Sequence, residues 1–194
     1  MVDTSSKLAQ IEEYIEEGSY FTINRARQFG KTTTLKALFR NLSDRYVVIS
    51  ISFEIGDAIF DSVEGFCEGL AFKISEAAGV TSEQADFWLN ECKCASFEGL
   101  SAKISAFCKS QTKPVLLLID EVDKSTDNQL FLNFLGMLRN KYLDRDLKGM
   151  NSTFHSVILA GVYDVKNLKI KLRPDEERKY NSPWNIATDF DVDM

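Results

Sequence analysis

Hydrophobic and polar positions along the chain follow two alternating rhythms. Leu8, Ile11 and Ile15 fall three to four residues apart. With a Ser or Thr near the start and Gly18 as a stop, they predict a helix over Ser5–Glu17. Tyr20–Asn24 (YFTIN) reads as a short strand. Leu35, Leu38, Phe39 and Leu42 share a face and predict a helix over Lys31–Leu42. Tyr46–Phe53 is rich in Val and Ile and reads as a buried strand. Phe60, Val63, Phe66, Leu70 and Ile74 predict one helix over Asp57–Ala78 with all five facing inward. Two further helices are expected over Ser82–Glu91 and Ser96–Cys108, the second with Phe97, Leu100, Ile104 and Phe107 on one side. Val115–Asp120 is apolar until it ends in acid, and reads as a strand. Phe131, Phe134, Leu135, Leu138 and Tyr142 mark a helix over about Asp127–Leu143. Ser156–Val162 is another buried strand, and Asn185–Val192 a last one.

Strands that alternate with helices and are apolar throughout imply an α/β fold. Its mainly parallel, five-stranded sheet lies between two helical layers. Ligands of such sheets bind at the carboxyl ends of strands, so the informative residues are those just after them. No internal repeat is present.

Composition narrows the class. The 194 residues, 44% hydrophobic with 14 Phe, suffice for one domain with a sizeable core. The expected organisation is a single core over 1–194. Within it lie an N-terminal helix (1–18), a helical insertion (82–110) and an acidic segment with the last strand (174–194). Basic residues number 23 and acidic ones 29, a net −6, so charge does not point to nucleic acid or membrane. Six acids and two bases lie in Pro174–Met194 and carry −4 of that total. No run is apolar and long enough to span a bilayer, and no signal core opens the chain, so a cytoplasmic protein is expected. Cys67, Cys92, Cys94 and Cys108 lack CxxC spacing and read as reduced thiols.

Two motifs carry chemistry. After the first strand comes Arg25-Ala-Arg-Gln-Phe-Gly-Lys-Thr32, followed by a helix. Successive backbone N–H groups at a helix N-terminus make an anion site. Gly30 lets the backbone approach phosphates, Lys31 supplies a point charge, and Thr32 offers a hydroxyl to Mg²⁺. Arg27, Gln28, Phe29 and Thr33 complete the expected nucleotide contacts. Arg25 stands where a GxxxxGK[ST] loop (Walker A) has its first glycine, so the loop entry differs. An incidental GKT at a helix start is the alternative. The second motif, VLLLIDE, ends a buried strand with Asp120 and Glu121. Adjacent carboxylates there are poorly explained by packing. As a Walker B pair, Asp120 holds Mg²⁺ and Glu121 orients and deprotonates the attacking water.

Weaker features surround these. Asp123 reads as a helix-capping acid. Tyr163 and Asp164 follow the Ser156–Val162 strand, where a γ-phosphate sensor or a turn residue belongs. His155, the single histidine, reads as structural. Lys166, Lys169, Lys171 and Arg173 alternate with Leu168, Ile170 and Leu172, which reads as a solvated basic face.

The stretch YFTINRARQFGKTTTLKAL resembles the predicted AAA-ATPase-like proteins of bacteria and archaea, which commonly read R-P-R-x-F-G-K-[ST] at this loop. Arg25, Arg27, Phe29, Gly30, Lys31 and Thr32 match; Ala26 replaces the Pro. VLLLIDEVD, VILAGVYDVKNLK, NSPWNIATDFDVD and the early Val2-Asp3-Thr4 are also similar to the family. The resemblance implies a RecA-like core of the additional-strand, catalytic-glutamate type, with the SVILAGV strand between the loop strand and the acidic strand. It implies ATP and Mg²⁺ as cofactors, and an ATPase that drives a conformational switch. The choice of ATP rests on the resemblance, since no NKxD guanine motif occurs. A nucleotide-gated interaction module and a small-molecule kinase are the alternatives, the kinase disfavoured by Glu121. Relatives continue into a helical lid, which is not expected within this chain. A homo-oligomer or a protein partner is open, with Arg173 as a weak candidate for an arginine lent to a neighbour.

Overall fold

A computed structural model describes residues 4–24, 38–53, 57–79, 94–122, 128–149, 152–161 and 188–191. Five strands occur among them: β1 (Tyr20–Asn24), β2 (Val47–Ser52), β3 (Val115–Asp120), β4 (Ser156–Gly161) and β5 (Thr188–Asp191). They pair in the order β2-β3-β4-β1-β5, and each pairing is parallel. The α/β architecture with a parallel sheet is the one expected. β4 lies between β1 and β3, pairing Tyr20 with Val157 on one side and Leu116 with Ser156 on the other.

Side chains of β1 to β4 leave alternately toward two cores. Val47, Ile49 and Ile51 of β2, Val115, Leu117 and Ile119 of β3, and Val157 and Leu159 of β4 enter the larger one. Helices α2 (Val63–Ala78), α3 (Phe97–Ser110) and α4 (Gln129–Leu143) cover that face. Phe21, Ile23, Val48, Leu116, Leu118, Ile158 and Ala160 enter the smaller core. There α1 (Thr4–Glu16) contributes Ile11 and Ile15, and the helical residues 38–42 contribute Leu38 and Leu42. Burial on both faces explains why β3 and β4 are apolar without alternation, while the edge strand β2 exposes Ser50.

Helix boundaries follow their caps. Ser62 is extended (φ −151°, ψ 160°) and its hydroxyl accepts from the Gly65 N–H, so α2 begins at Val63. Asp57–Phe60 forms a separate 3₁₀ turn. This corrects the single helix expected over Asp57–Ala78. It also corrects Val63, which is 41% exposed rather than inward-facing. The periodicity does not register the break because Phe60 still packs on Phe53 and Phe66 from the turn. Asn128 caps α4 with its side-chain oxygen, 2.8 Å from the Leu130 N. Ser96 does the same for α3 through the Gly99 N–H, 3.2 Å away. The expected helix over Ser82–Glu91 lies outside the described residues. Residues 31–37 of the Lys31–Leu42 helix do too. No helix among the described residues is long and apolar enough to cross a membrane.

β2 has the free edge on its side of the described sheet. From α2, the Lys73 Nζ reaches the Ser52 carbonyl there, at 3.5 Å. Lys141 of α4 donates to the Ser101 carbonyl (2.9 Å) and the Ser105 hydroxyl (2.5 Å), tying α4 to α3. Cys67, Cys94 and Cys108 are buried cysteines outside any disulfide; burial raises the Cys67 pKa to about 11 and that of Cys108 to about 12.

The amino edge of the sheet is closed by one cation. After α4, the short helix α5 (Arg145–Lys148) carries Arg145, which is 7% exposed. Its guanidinium donates to the Gly18 carbonyl (2.9 Å) and the His155 carbonyl (3.0 Å). It lies over the Tyr142 ring at 3.8 Å. Three segments distant in sequence thus meet on one side chain. Gly18 has φ +70°, and a Cβ there would stand 3.2 Å from both Arg145 Nη1 and the His155 carbonyl.

Gly18→Ala is therefore expected to destabilise the fold by about 1–2 kcal/mol from the left-handed backbone alone. Arg145→Ala orphans one buried and one part-buried carbonyl and should cost about 3 kcal/mol. Arg145→Lys should not restore it, since an ammonium lacks the planar fork. Urea unfolding of the three variants checks this.

Candidate functional site

Parallel pairing brings the carboxyl ends of the strands to one edge. Asp120, the last residue of β3, pairs with Ser52 of β2, and the Phe53 N–H donates to its carbonyl at 3.3 Å. Asn24, the last residue of β1, pairs with Gly161 of β4 and with Asp191 of β5. With β4 between them, the ends of β1 and β3 are about 10 Å apart at the usual strand spacing. The chain leaves β1 directly into Arg25. Asp120 thus lies two strands from the point where the loop sequence begins.

Asp120 and Glu121 are half-buried at this edge. The Glu121 N–H donates to Asp120 Oδ1 at 2.8 Å. Glu121 has φ 59°, the one positive value at a non-glycine among the described residues. The next residue, Val122, is fully buried. In the sequence, the only sign of Val122 and of the turn before it is an apolar residue directly after two acids.

The donor chemistry fits a hard divalent cation. Mg²⁺ takes one or two carboxylates and fills its octahedron with water and phosphate oxygens. Asp120 is a carboxylate of the type such an ion takes. Among the described residues no three His, Cys, Asp or Glu gather as an all-protein metal cage, and Mg²⁺ beside a phosphate needs none.

The remaining expected site residues lie outside the described residues. These are Arg25, Arg27, Gln28, Phe29, Gly30, Lys31, Thr32 and Thr33 of the loop. Asp123, Tyr163, Asp164 and the basic run Lys166–Arg173 also lie outside. His155 is described, and it sits at the opposite, amino edge of the sheet. Its Nε2 is 2.8 Å from the Ile15 carbonyl and its ring stacks on Tyr46. Burial, helped by the nearby Arg145 charge, holds its pKa below the ordinary value. The ring ties α1 to β4.

A family profile described as "AAA-like domain" matches residues 3–171. No curated protein matches the chain. Among solved structures, the Aeropyrum pernix ORC2 protein, in ADPNP-ADP complexes, superposes with a TM-score of 0.54 at 11% identity. That match covers 97% of this chain and 46% of the other, so the chain spans about half of that protein. Drosophila ORC bound to DNA gives a TM-score of 0.51 at 12% identity, covering 97% of this chain and 89% of the other. At these identities the likeness concerns the fold.

The depressed His155 pKa fixes a sign. The native state takes up the proton less readily than the unfolded chain, whose histidine titrates near ~6.5. Stability is complete above that pH and falls as pH drops from it toward the folded value. His155→Gln keeps a donor for Ile15 and cannot titrate. Its urea midpoint is expected to fall less than that of the native chain between pH 7.5 and 5.

Proposed function

Because this chain belongs to the AAA-like domain family, we propose that it is an ATP-binding, Mg²⁺-dependent ATPase core. We take residues 1–194 as one such core, of the additional-strand, catalytic-glutamate type. The observation that carries the reading is the strand order. It sets Asp120 and Asn24, the residue before Arg25 in the sequence, on one edge, with β4 between their strands.

In this reading the amides of Gln28 to Thr33 cradle the phosphates, with Arg27 and Phe29 beside them. Lys31 neutralises the β- and γ-phosphates. Thr32 and Asp120 hold the metal, which when bound supplies positive charge against the developing phosphate charge. Glu121 orients a water in line with the γ-phosphorus and accepts its proton. The new P–O bond forms as the bond to the β–γ bridging oxygen breaks, giving ADP and phosphate. The work done with that energy is a change of conformation passed to a partner protein or a second copy. The net charge of −6 lends no support to carrying over the DNA of the Drosophila assembly.

Phosphate release from Mg-ATP by the native chain and by Glu121→Gln, with binding measured on both, tests the assignment. Expected is turnover by the native chain, at least ~100-fold lower in Glu121→Gln, with affinity within about threefold. Binding without release in both indicates a nucleotide-gated module. Phosphate appearing on an acceptor indicates a kinase. Absence of binding overturns the reading at the loop.

A further inference from the structure

β3 sends Val115, Leu117 and Ile119 into the larger core, and Leu116 and Leu118 into the smaller one. Continued alternation would place Glu121 beside Ile119, inside an apolar cluster. The next member of that cluster is instead Val122, with no exposed surface. The spacing changes from two residues to three, and the change is made at Glu121, where φ is 59°. An L-residue occupies that region against a bias of roughly tenfold. Two contacts oppose the bias. The Glu121 N–H is held by Asp120 Oδ1 at 2.8 Å, and the Val122 side chain is anchored in the core.

We propose that Val122 is a positioning residue for Glu121. Burial of its side chain drives the left-handed turn, and the Asp120 oxygen locks it. The Glu121 carboxylate is thereby kept at the carboxyl edge of the sheet, out of the core that strand alternation would otherwise send it into. Asp120 then acts twice: through its backbone lock on Glu121, and through the cation-binding role assigned above. The functional half of this proposal rests on the water-activating role of Glu121; the backbone half stands without it.

The backbone half is read by ¹⁵N NMR on the nucleotide-free chain. A carboxylate-bound amide proton resonates downfield and exchanges slowly. Asp120→Asn keeps a side-chain acceptor and should retain slow exchange at Glu121. Asp120→Ala and Val122→Ala should each speed exchange there at least ~10-fold, with β4 amides unchanged. Should Val122→Ala fail to fold, Val122→Thr keeps the shape with weaker apolar burial and reads the same amide. The functional half is read as a split. Val122→Ala should lower turnover about 10-fold with nucleotide affinity within twofold, and Val122→Ile should restore it. An undisturbed Glu121 amide in Val122→Ala overturns the proposal. A disturbed amide with native turnover overturns the positioning role. A native chain that binds no nucleotide overturns the role of Glu121, while the amide comparison still decides the turn.

Discussion

Parallel pairing obliges every strand to start at one edge of the sheet and finish at the other, with a crossover between. The two edges of this sheet have become chemically different as a result. The amino edge is where Gly18, Arg145 and His155 meet, and its polar groups are spent on one another. The carboxyl edge presents Asp120 and Glu121 and releases the chain into the Arg25 loop. Charge is used for cohesion at the first, and in the proposed reading for chemistry at the second. Both arrangements depend on the crossovers that cover the two faces with α1 and residues 38–42 on one side and α2, α3 and α4 on the other.

Much of this was legible in the residues. The apolar run Val115–Ile119 announces a strand buried on both faces, because a half-exposed strand would alternate, whereas Ser50 and Ser52 in Val47–Phe53 mark the partly exposed edge strand β2. Capping chemistry was legible too, yet Ser62 went unread. Phe60, Val63 and Phe66 keep helical spacing across a break that only the Ser62 hydroxyl reveals. Arg145 was not legible at all. Its neighbours Asp144, Asp146 and Lys148 suggest an ordinary solvated turn, and nothing local shows that two carbonyls 10 and 127 residues away close on it.

The acidic pair shows the limit in another form. The sequence shows that two carboxylates end β3, and strand alternation then assigns them opposite faces. The φ of Glu121 overrides that assignment, and the override is a backbone event that residue identity hardly encodes. Glutamate is not a residue chosen for a left-handed turn; glycine or asparagine is. Its presence there goes against the local backbone preference, and strain of this kind persists only where the surrounding structure holds it.

The pairing of Tyr20 with Val157 carries one more consequence. On the ribosome, β1 emerges about 140 residues before the strand that will flank it. At roughly 5–20 residues per second that is a wait of about 7–28 s. During it, Tyr20, Phe21 and Ile23 have no sheet to join. Local helices can form early, but the centre of the sheet closes only after most of the chain has been made. Long-range closure of this kind makes for slow folding. Nascent copies of this protein thus pass through a stage in which a sticky strand is exposed, and growth conditions that slow translation lengthen that stage.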